Sequence, residues 1–230
     1  MAPSRGQAER SQRRTGQTSR SRGLFTLHNL PNFITCIRLI LTGIFLWLLS
    51  YEGKVSSYLA LATFCLASFT DWLDGHLARR YHLTTPFGIF MDPLADKVLV
   101  LSALLVFIWQ NLIQWWMVGV IVSREFLVTS VRVLAESRGM SLAAMPSGKQ
   151  KTVVQIVAII GILVVLCTQY TISDMTGLPY DTALSRLGAR GAIAARVIHW
   201  LPDALLFVAT VFSVVSGIDF VVKHRRLFQS

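Results

Sequence analysis

Six apolar segments separated by more polar stretches make up nearly half of the 230-residue chain. A helix that crosses a bilayer needs roughly 20 mostly apolar residues, and most of these segments approach that length. The predicted spans are 32–50, 57–70, 93–109, 115–134, 152–167 and 200–222. Leu24 to Leu30 precedes them and is expected to lie in the membrane interface. The pattern predicts an all-α integral membrane protein with six transmembrane helices and an N-terminal interfacial segment.

The composition supports the same class of protein. Hydrophobic residues form 53% of the chain and charged residues only 15%, which departs from soluble domains. The net charge of +10 comes from basic residues in the N-terminal tail and at the borders of the apolar segments. The expected partner is therefore an anionic lipid surface rather than nucleic acid. The three cysteines lie inside apolar segments without paired spacing, which predicts neither a disulfide framework nor a zinc site.

Residues 1–23 differ from the rest of the chain, with six arginines, one glutamate and almost no apolar residue. This composition predicts a disordered basic cytoplasmic tail, followed by one membrane-embedded domain over 24–230. An organelle transit peptide is the alternative, but such peptides need an amphipathic helix that this tail lacks. Six spans leave both termini on one side together with most Lys and Arg residues, so that side is predicted to be cytoplasmic.

Four aspartates stand where the second and third spans approach each other in the sequence. Asp71 and Asp74 are three residues apart, and with Gly75 and Ala78 they share one face of a helix that extends the second span. The two small residues leave room for a ligand beside the backbone. Arg79 follows one turn later, and its guanidinium suits bidentate binding of phosphate. This face is expected to bind a metal-bound diphosphate.

The second pair of aspartates opens the third span. Asp92 is predicted to be the N-cap and Asp96 to lie one turn into the helix, because Pro93 suits a first helical turn. Residues 79–91 are predicted to connect the two helices. Four ionised carboxylates beside a membrane are costly without a counter-charge, and oxygen ligands favour Mg²⁺ or Mn²⁺ over zinc. The alternative is that the aspartates only cap helices and face water.

The complete pattern, Asp-x2-Asp-Gly-x2-Ala-Arg-x8-Gly-x3-Asp-x3-Asp over 71–96, resembles the signature of the CDP-alcohol phosphatidyltransferases. The resemblance implies that family's membrane fold and a CDP-diacylglycerol donor. It implies two divalent cations, Mg²⁺ or Mn²⁺, bound by Asp71, Asp74, Asp92 and Asp96. It assigns Asp96 the role of general base. It also implies that the donor pocket includes Gly75, Ala78, Arg79, Thr85 and Gly88.

A polar stripe enters the first predicted span, formed by Asn32, Thr35 and Arg38 at three-residue spacing. One interpretation is that Arg38 extends to the lipid headgroups and the other two residues cap the helix. The stretch Asn-Leu-Pro-Asn-x-Ile-Thr-x-x-Arg over 29–38 resembles phosphatidylglycerophosphate synthases. That resemblance implies that the stripe borders the CDP-diacylglycerol site.

The fourth span carries Arg124, Glu125 and Arg132, which is unusual for a helix facing lipid. These charges either pair with one another or form an anion-binding pocket. Lys149 and Lys151 near the start of the fifth span either bind phosphate or flank the span on the cytoplasmic side. The stretches 123–132 and 148–152 resemble phosphatidylglycerophosphate synthases, which implies sn-glycerol 3-phosphate as the acceptor. The residues predicted to contact its phosphate are Arg124, Arg132, Lys149 and Lys151.

Several alternatives remain open at this point. A cardiolipin synthase of the same fold or a phosphatidylinositol-phosphate synthase would carry the same signature. A membrane cation transporter would also use acidic residues at helix ends to bind metal. A catalytically silent membrane scaffold would show no loss of lipid turnover on Asp92→Asn. The resemblance suggests a homodimer in the bacterial inner membrane. Residues 168–199 are predicted to form a long glycine-rich connection with no assigned role.

Overall fold

The structure is a computed structural model that describes the backbone of residues 30–81, 86–137 and 146–223. Side chains are described for 35–70, 97–131, 133, 135 and 150–223. Over these ranges the chain forms helices and no strand, which agrees with the predicted all-α class. The helices are α1 (Leu30–Leu49), α2 (Lys54–Tyr81), α3 (Pro86–Trp109), α4 (Trp115–Ser137), α5 (Pro146–Thr176), α6 (Tyr180–Ser185) and α7 (Ala189–Lys223). The predicted tail, 1–23, and most of the interfacial segment lie outside the described residues.

The second span continues through the acidic motif as a single helix, because α2 ends only at Tyr81. The predicted start of the third helix is wrong. Helix α3 begins at Pro86, so Asp92 lies inside the helix and is not its N-cap. Proline suits the first helical position, and Pro86 occupies it here instead of Pro93. The predicted connection over 79–91 is correspondingly too long, since only 82–85 separate the two helices and lie outside the described residues.

The predicted glycine-rich connection over 168–199 is also wrong, because most of it is helical. Helix α5 continues to Thr176, and α6 and the first turns of α7 occupy most of the remainder. Two glycines with positive φ, Gly177 at 65° and Gly188 at 80°, follow the ends of α5 and α6. A left-handed residue of this kind terminates a helix at little cost when it is glycine. The glycines therefore mark two tight turns and not one long loop.

The long helices enclose a common apolar core. Helix α1 packs against α2 and α3, α2 and α7 both pack against α5, and α4 packs against α3 and α7. Each of the six long helices contributes fully buried side chains to this core, among them Phe45, Phe64, Phe107, Ile121, Ile159 and Leu206. Because α1 contacts both α2 and α3, it joins the two helices that carry the acidic motif.

The outer surface of the helices is apolar as well. Ile40, Leu105 and Val215 are each about 60% exposed, a pattern that suits lipid and not water. Within the described residues, the segments Gln150–Thr176 and Ala189–Lys223 are long and apolar enough to cross a membrane. Thr35–Leu49 and Lys97–Trp109 form shorter apolar helices. The exposed apolar surface agrees with an integral membrane protein.

Polar contacts join the helix ends that lie away from the acidic motif. The side-chain amide of Gln110 donates to the carbonyl of Leu49 at 2.8 Å, which links the ends of α3 and α1. Lys54 at the start of α2 pairs with Asp174 near the end of α5 at 3.3 Å. These contacts hold one end of the bundle together and leave the opposite end for the motif.

Candidate active site

The four aspartates of the motif lie on two helices that are neighbours in the chain. Asp71 and Asp74 belong to the last turns of α2, and Asp92 and Asp96 belong to the first turns of α3. Their side chains lie outside the described residues, as does the metal site predicted from them. The same holds for the side chains of Asn32, Ala78, Arg79, Thr85, Arg132 and Lys149 and for the surroundings of Gly75 and Gly88. Among the described side chains, no group of three or more His, Cys, Asp or Glu residues could bind a metal.

The two described side chains of the polar stripe, those of Thr35 and Arg38, lie in the protein interior. Thr35 is 1% exposed and Arg38 is fully buried, and the Thr42 hydroxyl donates to the Arg38 carbonyl at 2.8 Å. The interpretation in which Arg38 extends to the lipid headgroups is therefore wrong. A guanidinium is rarely buried within a membrane protein unless polar or anionic groups surround it. Its helix packs against both helices of the acidic motif, so Arg38 adds an interior positive charge to the helix that joins them.

A cavity of about 260 Å³ opens between α2, α3, α4 and α5. We call it the central cavity. Its polar lining consists of Ser68, Lys97, Glu125, Lys151, Thr152 and Gln155, and its other lining residues are aliphatic. Ser68 precedes Asp71 by three residues, and Lys97 directly follows Asp96. The central cavity therefore adjoins both halves of the acidic motif along the chain.

The charged groups of the central cavity are paired in a defined way. Lys151 forms an ion pair with Glu125, and both side chains are largely buried. The Lys97 ammonium donates to the Thr129 hydroxyl at 3.1 Å, which links α3 to α4. Two ammonium groups and one carboxylate leave the described lining with a net positive charge. A pocket of this size and charge suits a small anion.

Arg124 lies apart from this lining. Its Nη2 donates to the Ser216 hydroxyl on α7 at 2.9 Å, and its Nη1 lies 3.4 Å from Glu125 Oε1. Arg124 lines a second space of about 640 Å³ between α4 and α7. We call this space the α4–α7 groove, whose other lining residues include Trp115, Gly119, Ser123, Leu127, Gly217 and Val221.

Of the four residues predicted to contact phosphate, the two with described side chains line different spaces. Lys151 lines the central cavity, whereas Arg124 is not among its lining residues and pairs with the cavity residue Glu125. The side chains of consecutive residues in a helix point in directions about 100° apart, so those of Arg124 and Glu125 lie on different surfaces of α4. Arg132 and Lys149 belong to α4 and α5, but their side chains lie outside the described residues.

Sequence reasoning missed two residues of the central cavity, Lys97 and Ser68. The available signal for Lys97 was a cation directly beside the last aspartate of the motif, at the border of an apolar segment. Ser68 carried no such signal, because a lone serine in an apolar helix usually bonds to its own backbone.

A sequence model of the family described as CDP-alcohol phosphatidyltransferase matches residues 28–215. The chain belongs to the CDP-alcohol phosphatidyltransferase family. It is similar to the CDP-diacylglycerol–glycerol-3-phosphate 3-phosphatidyltransferase of Bacillus subtilis (strain 168), with 36% identity over 210 residues. That alignment covers 86% of this chain and 96% of the relative.

Two further relatives show the same degree of identity. The probable phosphatidylglycerophosphate synthase of Mycobacterium tuberculosis (strain H37Rv) is 36% identical over 185 residues, which cover 74% of this chain and 87% of the relative. The Escherichia coli (strain K12) CDP-diacylglycerol–glycerol-3-phosphate 3-phosphatidyltransferase is 36% identical over 140 residues, which cover 59% of this chain and 76% of the relative. These matches confirm the family that the acidic signature indicated. The central cavity adjoins the two helices that carry the signature of this family.

Proposed function

We propose that this enzyme transfers the phosphatidyl group of CDP-diacylglycerol to sn-glycerol 3-phosphate. A hydroxyl oxygen of the acceptor forms a bond to the lipid-side phosphorus of the donor. The bond between that phosphorus and the oxygen bridging to CMP breaks, and CMP leaves with that oxygen. The hydroxyl proton is released in the same conversion. The products are phosphatidylglycerophosphate and CMP, which makes this a step of phospholipid biosynthesis.

One observation carries the choice of acceptor. The central cavity, beside the signature helices, is small and bears Lys97 and Lys151 against the single described carboxylate of Glu125. A phosphate monoester carries nearly two negative charges at neutral pH, so it complements this lining better than uncharged inositol or zwitterionic serine. The names of the similar proteins agree with glycerol 3-phosphate as acceptor.

The donor set of the signature fits divalent cations. Asp71, Asp74, Asp92 and Asp96 offer carboxylate oxygens only, which are the ligands that Mg²⁺ and Mn²⁺ prefer. Bound ions would polarise the donor's diphosphate and neutralise charge that develops as CMP leaves. In this proposal Asp96 also accepts the acceptor's proton, as the resemblance implies.

The donor is assigned to the other side of the motif. The buried Thr35 and Arg38 of α1, together with Asn32, would border the CDP-diacylglycerol diphosphate. The positions contributed by the signature are Gly75, Ala78, Arg79, Thr85 and Gly88. Arg38 supports this assignment because it is fully buried on the helix that contacts both α2 and α3. Lys151 would contact the acceptor phosphate directly, with Arg132 and Lys149, and Arg124 would act through Glu125.

We further propose that the enzyme is a homodimer in a bacterial inner membrane with its active site and both termini facing the cytoplasm. The bacterial origin of the similar proteins supports the membrane. The basic residues near the signature support the orientation. Residues 1–23 would extend into the cytoplasm as a disordered tail, and 24–230 would form the membrane domain.

The direct test is release of CMP by purified protein supplied with CDP-diacylglycerol and Mg²⁺. The acceptors to compare are glycerol 3-phosphate, phosphatidylglycerol, inositol phosphate, inositol and serine. We expect release with glycerol 3-phosphate and not with the other four. Preference for phosphatidylglycerol or inositol phosphate would reassign the enzyme to another activity of the same family. Cation transport across sealed vesicles without CMP release would overturn the transferase assignment.

Substitution of the signature tests the cation site. Asp92→Asn removes one negative oxygen ligand with little change in shape, so we expect turnover to fall by roughly a thousandfold while the protein remains folded. CMP release and elution as a monodisperse species in detergent are the two measurements. The matched control is Asp174→Asn, which changes a 61% exposed side chain at the opposite end of α2 and α5 and should leave turnover unchanged. Wild-type turnover in Asp92→Asn would contradict the four-carboxylate site.

A further inference from the structure

The hydroxyl of Ser68 indicates that the central cavity binds a ligand. Its Oγ is buried and has no hydrogen-bond partner among the described residues, although the residue lines the central cavity. Many helix serines and threonines here bond to a carbonyl of their own helix, as Thr63 on α2 does to Leu59 at 2.8 Å. A buried hydroxyl without a partner costs free energy unless a ligand or water supplies one. A polar group of a bound molecule would meet this need.

Lys97, on α3, lines the same cavity. Its ammonium has three donors, and the contact with Thr129 at 3.1 Å uses one of them. The described lining residues include no carboxylate other than Glu125, which already pairs with Lys151. Lys97 therefore retains donors for an anion in the cavity, on the side next to the signature aspartates.

We infer that Lys97 and Lys151 bind the acceptor phosphate from two sides of the central cavity and that Ser68 hydrogen-bonds a hydroxyl of the acceptor's glycerol. This assignment rests on the proposed function and identifies two binding residues that lie outside the acceptor set predicted from the sequence. It orients the acceptor, since Ser68 lies one turn from Asp71 on α2 while both lysines belong to α3 and α5. The hydroxyl end of the acceptor then lies toward the signature of α2.

The first experiment measures CMP release by the full-length protein in lipid nanodiscs with CDP-diacylglycerol and Mg²⁺. Lys97→Ala should raise KM for glycerol 3-phosphate by about tenfold or more, because a hydrogen bond to a charged group is lost. KM for CDP-diacylglycerol and the Mg²⁺ dependence should stay within about twofold. Lys97→Arg keeps the charge and should recover part of the affinity.

The control for charge is Lys54→Ala, which removes a lysine at the far end of α2 and should leave both KM values unchanged. An unchanged KM for glycerol 3-phosphate in Lys97→Ala would overturn the assignment. A shift in the Mg²⁺ dependence as large as the shift in KM would also overturn it, because Lys97 would then support the cation site.

The second experiment compares Ser68→Ala with Ser57→Ala on the same helix. Ser68→Ala should raise KM for glycerol 3-phosphate by about threefold to tenfold, the value of one neutral hydrogen bond. Ser57→Ala removes a buried hydroxyl that donates to the carbonyl of Gly53, directly before α2, and it should leave this KM unchanged. Equal KM values in the two variants would overturn the role of Ser68.

A binding measurement separates this inference from the proposed reaction. Thermal stabilisation of the protein by glycerol 3-phosphate or by inorganic phosphate, without CDP-diacylglycerol, reports occupancy of the cavity alone. We expect both probes to stabilise the wild type, Lys97→Ala to lose most of the effect of each, and Ser68→Ala to lose only the added effect of glycerol 3-phosphate. If stabilisation follows this pattern but the wild type uses another acceptor, the proposed function fails and the anion site stands. If turnover with glycerol 3-phosphate is normal in both variants and stabilisation is unaffected, the inference fails and the function stands.

Discussion

The central cavity and the α4–α7 groove border opposite sides of one helix and differ in their charged residues. Both are lined mainly by apolar side chains. The cavity holds Lys97, Lys151 and the hydroxyl of Ser68, whereas the groove holds Arg124, whose guanidinium bonds to Ser216 on α7. Cations that look equivalent in the sequence therefore have different neighbours. The comparison teaches that proximity along α4 does not define one anion pocket.

Glu125 connects the two regions. Its carboxylate pairs with Lys151 in the cavity and lies within 3.4 Å of Arg124 beside the groove. The three side chains are between 10% and 24% exposed, so the cluster is largely shielded from solvent. One carboxylate thus balances cations on both sides of α4, and changes at Glu125 should affect both regions.

The largest effect is expected when that shared carboxylate is removed. Glu125→Ala leaves Lys151 and Arg124 without their common anion, which should lower the free energy of unfolding by roughly 3 kcal/mol. Thermal and denaturant unfolding in detergent measure the change. Asp174→Ala breaks an exposed ion pair with Lys54 and should cost less than about 1 kcal/mol. Equal losses in the two variants would mean that Glu125 does not join the cavity and the groove.

An intermediate effect should separate the two cations of the comparison. Lys151→Ala should raise KM for glycerol 3-phosphate about tenfold, because it removes a charged donor from the cavity wall. Arg124→Ala should raise that KM only about threefold and should instead lower the free energy of unfolding by about 1 to 2 kcal/mol, since its bond to Ser216 is structural. Steady-state kinetics and unfolding of both variants check this division. Equal increases in KM would place both residues at the acceptor.

The smallest effect is expected in the α4–α7 groove. A Cβ added at Gly217 would lie 3.0 Å from Cγ and 3.2 Å from Nε of Arg124, so the arginine must move in Gly217→Ala. We expect a loss of about 1 kcal/mol in stability with little change in KM. Gly119→Ala lines the same groove and meets no atom within 4 Å, which makes it the matched control. A larger loss in the control would contradict close packing at Gly217.

Much of the fold was predictable because helix formation in a membrane protein follows apolar segment length. The continuation of α2 through Asp71 and Asp74 was predicted correctly. The errors concerned residues at which helices begin or end. Pro86 and Pro93 both suit the first position of a helix, and Gly177 and Gly188 lie in two turns where one long glycine-rich connection was predicted. The local sequence does not indicate which of the two prolines begins the helix, or whether the glycines lie in short turns or in one long connection.

The candidate site was only partly predictable. Lys151 was chosen as a basic residue near a helix start, and it lines the central cavity. Arg124 was chosen as a charge inside an apolar span, in a stretch that resembles phosphatidylglycerophosphate synthases, yet it bonds to Ser216, which is 92 residues away in the chain. No local pattern around Arg124 identifies that partner. Lys97 was missed because its importance comes from lining one cavity with Lys151, on another helix, and not from its own surroundings in the sequence.

The sequence by itself determined the class of protein, the family and the acidic signature, because these depend on apolar length and on fixed spacing along two helices. Only the tertiary structure decided that Arg38 is buried, that Arg124 and Lys151 serve different surfaces, and that Ser68 and Lys97 share one cavity. The physical reason is the packing of α2, α3, α4, α5 and α7. Side-chain partners across helices depend on rotation and register, which residue spacing within a single helix does not specify.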